Sequence, residues 1–342
     1  MELSGRPLLD TKPDRELFAG RDEELEQLTA HAERRLNVLL IGERGTGKTS
    51  LLRQVAYELR QRHPDQPPPG FVEGRLAENA KTFLDLVRYR LGLSPAVLQP
   101  SAWQEAIARM GTKPVLDETL ELPRLVASLR DAAPEGNRVV LVDEVSSKIG
   151  QTLFGRLRDE MWQLPLTWVV ATADSEAGPL LSPPADAFFD MVMHLGPLSS
   201  QGQSLLLEAR AGRRGRQIAR QLDEGNPRRL LALAREAVQG GAKPGELAQA
   251  QSERDAQVAR LGRSASMLMA ELESLGPVSA SDEKLLRRLG WTRARAVQVL
   301  RGLEEQGLVT SSTVKGNAGR PRKVYRPVDL TEETDPSKAA ET

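Results

Sequence analysis

The chain is 342 residues long, 39% hydrophobic and 27% charged, with 47 lysines and arginines balancing 47 aspartates and glutamates. That size predicts two or three domains with sizeable cores, and the composition is that of an ordinary soluble protein. The absence of cysteine excludes disulfides, thiol catalysis and thiolate metal sites, and His31, His63 and His194 are too scattered for a zinc site. No apolar run approaches membrane-spanning length, and residues 1–6 lack the apolar core of a signal peptide, so a cytoplasmic location is expected.

In chain order, residues 1–15 read as an N-terminal extension. Phe18-Ala19-Gly20-Arg21-Asp22-Glu23-Glu24-Leu25 turns at Gly20 and enters a helix with acids in its first turn. Residues 36–41 are an apolar strand, followed by a Gly-rich turn and a helix over residues 50–57. Residues 63–70 are a Pro-rich breaker, residues 71–75 a short strand, and residues 76–133 a mostly helical insert. The β-branched run 138–143 predicts a buried parallel strand, and residues 167–172 and 191–195 two more. Strands alternating with helices predict a doubly wound α/β domain over residues 16–197. Residues 198–240 are helical throughout, 241–263 a polar linker, 264–327 a third unit and 328–342 an acidic tail.

Gly42-Glu43-Arg44-Gly45-Thr46-Gly47-Lys48-Thr49 is a complete GxxxxGK[ST] loop between strand and helix, the context that this motif requires. Its glycines let backbone N–H groups converge on phosphates, and the helix start at Ser50 adds positive potential. Lys48 is expected at the β/γ-phosphates and Thr49 on Mg²⁺, with ATP as cofactor. Asp143 and Glu144 end the next buried strand, where ligands of open α/β sheets bind. Asp143 is the second expected Mg²⁺ ligand, and Glu144 the residue that orients and activates the attacking water. Thr172 ends the following strand and is a candidate sensor of the γ-phosphate or that water.

Gly225-Asn226-Pro227-Arg228 is a strong helix start, with Asn226 as N-cap and Pro227 at the first helical position. Taken with the Gly20-Arg21-Asp22-Glu23-Glu24-Leu25 entry, the phosphate loop, Asp143-Glu144 and Thr172, it resembles the AAA+ ATPases. Within them it resembles the bacterial and archaeal branch akin to origin-recognition initiators, with a helical lid and a C-terminal winged helix. The resemblance implies Arg228 as the lid arginine on the γ-phosphate and Phe18 and Arg21 beside the adenine. One departure matters: between Glu176 and Pro197, where many relatives carry an arginine finger for the neighbouring subunit, there is no Lys or Arg. Such a finger contributes about 10³–10⁵ in rate, so slow hydrolysis is expected unless an oligomer or protein partner supplies the arginine in trans.

The third unit reads as three helices and a hairpin, resembling a winged helix-turn-helix. From residue 284 to 326 it holds eleven basic residues against two acidic ones. Thr292, Arg293 and Arg295 open the third helix, where base edges would be met. Arg320, Arg322 and Lys323 sit on the expected wing, facing phosphates or the minor groove. The reading is an ATP-controlled binder of double-stranded DNA. The alternative is a signalling scaffold whose winged helix contacts protein.

Overall fold

A computed structural model describes residues 3–93, 118–133, 138–239, 243–314 and 322–328. The chain forms two compact units, Met1–Arg216 with Gly225–Arg229, and Gln217–Glu224 with Leu230–Thr342.

The first unit is built on five parallel strands: β1 (Val38–Ile41), β2 (Gly70–Glu73), β3 (Arg138–Asp143), β4 (Leu166–Thr172) and β5 (Met191–His194). They pair in the order β2-β3-β4-β1-β5. Successive side chains of a strand point to opposite faces, so a continuous apolar run feeds two cores at once. Leu39, Ile41, Val140, Val142, Trp168 and Val170 pack into one core with Phe83 and Phe154. Val38, Leu40, Leu141, Val169 and Ala171 pack into the other with Leu28, Leu51 and Val55. The second core is covered by α2 (Asp22–Glu33) and α3 (Lys48–Arg62); α4 (Ala80–Arg90) and α5 (Glu118–Ala132) cover the first. The middle of the expected helical insert, 94–117, lies outside the described residues.

The N-terminal segment is held against α3, where Ser50 accepts the Leu8 N–H at 3.1 Å. Leu3 and Leu8 are buried. Arg6 makes a bidentate pair with Asp14, at 2.7 and 2.8 Å, in the short helix α1 (Lys12–Glu16). Gln54 Nε2 on α3 donates to the Leu9 carbonyl at 2.8 Å. A segment this short lacks a helical or strand period, so its anchors are invisible in sequence.

After β5 comes α6 (Ser200–Ala219), bent at Gly212, and then α7 (Pro227–Gln239), which starts in the first unit and continues into the second. The second unit continues with α8 (Pro244–Arg260), α9 (Arg263–Leu275), α10 (Glu283–Leu289) and α11 (Arg293–Glu305). A small antiparallel sheet, in the order β6-β8-β7, joins β6 (Val278–Ser279), β7 (Val309–Val314) and β8 (Arg322–Pro327). Leu268, Leu272, Leu285, Ala296, Leu300, Leu303 and Tyr325 share its core. The expected linker is helix α8, which buries Leu247, Gln251 and Val258 on one face. With only two apolar residues among the buried three, its helical period is faint. The hairpin tip expected at 316–322 lies outside the described residues up to 321, and Arg320 with it; so does the acidic tail beyond residue 328.

Candidate functional site

The carboxyl ends of the strands gather the predicted chemistry. Ile41 pairs with Thr172 across β1 and β4, and Glu73 with Asp143 across β2 and β3. The phosphate loop therefore leaves β1 beside the ends of β4 and β5. Gly45 and Gly47 hold φ of 88° and 99°, a left-handed backbone that a side chain would strain. Gly47 stands at the N-cap of α3, so Lys48 and Thr49 open the helix.

Lys48 Nζ donates to the loop's own carbonyls, at 2.6 Å to Gly42 and 2.8 Å to Glu43. Burial lowers its pKa, while Asp143, Glu144 and Asp174 oppose that shift. Thr46 Oγ1 donates to the Glu43 carbonyl at 2.9 Å, tightening the same turn. Ser50 accepts the Leu8 N–H at 3.1 Å, so its hydroxyl is engaged by the N-terminal segment.

Thr49 Oγ1 donates to Asp143 Oδ2 at 2.9 Å, while Asp143 Oδ1 is buried with no hydrogen-bond donor among the described residues. A carboxylate oxygen left without a donor beside a hydroxyl suits a hard divalent cation, so these residues fit Mg²⁺. Burial, then the Glu144 charge, pushes the Asp143 pKa up to about 6.

Glu144 is exposed and takes a left-handed backbone at φ 57°. Such strain in a residue other than glycine persists only where neighbours enforce it, and it clusters at functional sites. The neighbours here belong to β4: the Val145 N–H donates to the Ala171 carbonyl and Thr172 Oγ1 donates to the Val145 carbonyl, both at 3.1 Å. The Thr172 hydroxyl thus pins the turn that carries Glu144.

Asn226 joins the start of α7 to the phosphate loop. Its Nδ2 donates to the Arg44 carbonyl at 2.8 Å, and its Oδ1 accepts the Arg228 N–H at 3.1 Å. A Cβ on Gly45 would stand 2.5 Å from Asn226 Oδ1. Arg228 is half-buried there, with a guanidinium that has no partner among the described residues. The sequence marked Asn226 only as a cap; the contact with Arg44 needs the fold. Glu73, which meets Arg53 at 3.6 Å and Arg75 at 3.4 Å, is a further carboxylate at this edge that the pattern did not flag.

Phe18 and Arg21 have structural partners. Phe18 is buried in the core with Leu8 and Leu195. Arg21 donates to Glu24 at 2.7 Å and to the Gly196 carbonyl, tying α2 to the chain after β5.

In the second unit, Thr292 caps α11 by accepting the Arg295 N–H at 3.4 Å. Arg293 and Arg322 are exposed and unpaired among the described residues. Arg295 donates to Ser264 Oγ at 2.9 Å, and Lys323 to Glu304 Oε2 at 2.8 Å. Among the described residues no helix is long and apolar enough to cross a membrane.

Residues 17–182 match the family model of the AAA ATPase domain. No curated protein matches the chain. Among solved structures, the Aeropyrum pernix Orc1 protein in complex with DNA superposes with a TM-score of 0.50 at 22% identity, over 92% of each chain. Cdc6p from Pyrobaculum aerophilum gives 0.48 at 15% identity, over 92% of this chain and 91% of that one. The Walker-type ATPase paby2304 of Pyrococcus abyssi gives 0.48 at 19% identity, over 98% and 99%. At such identities the likeness to Orc1 is one of fold.

Proposed function

We propose that this chain, whose residues 17–182 match the family model of the AAA ATPase domain, binds ATP with Mg²⁺, hydrolyses it slowly, and uses the bound nucleotide to set its affinity for double-stranded DNA. The observation that carries this reading is the contact between Asn226 and Arg44, beside which the Arg228 backbone N–H lies 3.4 Å from the Gly45 carbonyl of the phosphate loop. Lys48 and the loop N–H groups hold phosphates, while Thr49 and Asp143 hold the metal. Mg²⁺, when bound, neutralises charge on the β- and γ-oxygens. Glu144, held out by its strained turn, orients water and takes up its proton, and Thr172 keeps that turn in place. Arg228 senses the γ-phosphate. Helix α7 opens at this loop, with Asn226 capping its first turn.

The DNA face of this reading is a winged helix, with Thr292, Arg293 and Arg295 at bases and Arg320, Arg322 and Lys323 on the wing. A second reading, a nucleotide-regulated scaffold with a protein-binding winged helix, is favoured by the internal pairing of Arg295 and Lys323. Titration of the full chain with duplex in ATP and in ADP decides between them. A coupling of about 1–3 kcal/mol, or roughly 5–150-fold in affinity, is expected. Equal affinity in the two nucleotides overturns the switch, and absence of salt-sensitive binding favours the scaffold.

A further inference from the structure

Helix α6 contains the run Arg210-Ala211-Gly212-Arg213-Arg214-Gly215-Arg216, and residues 209–222 hold five arginines and no acid. An uninterrupted helix would spread these around its circumference. The structure instead breaks at Gly212, at φ 60° and ψ −144°, a conformation essentially restricted to glycine. Gly215 closes the bend: a Cβ there would lie 1.9 Å from the Leu207 carbonyl oxygen. The bend lets Arg216 reach back eight residues, with its Nε 2.9 Å from Glu208 Oε2 and its Nη2 on the same carboxylate. Glu208 is thereby consumed. Arg213 and Arg214, at the tip, are exposed and have no hydrogen bond or ion pair among the described residues. Arg210 is buried with its Nε on the Leu17 carbonyl at 3.2 Å, which anchors the near side of the bend in the first unit.

Two adjacent guanidinium groups on a glycine-built corner, with the nearest acid already paired, are unfavourable for an isolated fold. They repel each other and gain no ion pair. They are matched by a closely spaced row of negative charges, and a bare backbone at Gly212 lets such a surface approach closely, since a Cβ there would meet nothing within 4 Å. We propose that the Arg213–Arg214 corner is a second DNA contact, on the ATPase-bearing unit, binding duplex phosphates without sequence preference. This rests on the DNA-binding reading above and adds to it a contact outside the basic C-terminal face.

The test is a salt titration of the full chain on a labelled duplex of mixed sequence. Each neutralised phosphate contributes about 0.9 to the slope of log K against log salt. The variant R213A/R214A is therefore expected to lower that slope by about 1.8, so that the wild type loses about tenfold more affinity than the variant over a fourfold rise in salt. R213K/R214K, which keeps the charge, should retain the wild-type slope, and ATP binding should be unchanged in both as evidence of folding. A wild type that binds DNA with a slope R213A/R214A does not alter overturns the second contact alone. A wild type with no salt-dependent binding overturns the DNA reading and this contact together. Loss of self-association in R213A/R214A with an intact DNA slope overturns it in favour of an interface between copies.

Discussion

Asp143 should make the protein less stable as its carboxyl ionises, and Asp143→Asn should remove that effect. The carboxyl is raised from 3.8 to about 6, first by burial and then by Glu144. A group with a raised acidic pKa binds more protons folded than unfolded, so stability falls as pH rises from about 4 to about 6 and stays low above. At about 1.4 kcal/mol per pH unit, the cost at neutral pH is about 3 kcal/mol. Asparagine keeps an acceptor for the Thr49 hydroxyl and has no proton to lose. Without nucleotide or metal, D143N should therefore melt higher than the wild type at pH 7.5, by about 6–12 °C. The gap should close towards pH 4.5. Adding Mg²⁺ and ATP should reverse the order, because the metal compensates the ionised carboxylate and has no equivalent ligand in the variant. Melting curves followed by calorimetry at both pH values check this. A gap that is the same at pH 4.5 and 7.5, or D143N melting below the wild type at pH 7.5, refutes the assignment of a costly buried carboxylate.

Lys48→Ala should abolish tight ATP binding by removing the cation at the β/γ-phosphates, as read by calorimetric titration, while Glu144→Gln should keep binding and lose turnover in a phosphate-release assay. Asn226→Ala removes a cap and a neutral hydrogen bond, each contributing about 1 kcal/mol, so urea unfolding should shift by about 2 kcal/mol. Arg228→Ala should erase the difference in DNA affinity between ATP and ADP and leave nucleotide-free binding intact. Thr172→Val should lower kcat with little effect on ATP affinity, because the hydroxyl positions the Glu144 turn. Turnover by the wild type should be low and proportional to protein concentration; specific activity that climbs steeply with concentration would count against the missing-finger argument.

The strands, the phosphate loop and the Asp143-Glu144 pair are local signals. A buried parallel strand must be apolar on both faces, and a phosphate loop must place its glycines at set spacings, so residues 36–49 and 138–144 carry their own explanation. The cap at Asn226 and the glycine that ends each of several helices are equally local. Contacts between segments distant in sequence are not. Neither the clasp of residues 3–16 on α3, nor the burial of Phe18 and Arg21, nor the pinning of Val145 by Thr172 leaves a mark in nearby residues. The helical signal of α8 is weak in sequence because its buried face is small and partly polar, and β6 is two residues long. Spacing along the chain can specify a turn or a helix face, because both are set by the backbone over a few residues. Which side chain meets Arg44, and which carboxylate oxygen is left without a donor, depended on packing that brings residue 226 to residue 44 and residue 143 to residue 49, and that exists only in the folded chain.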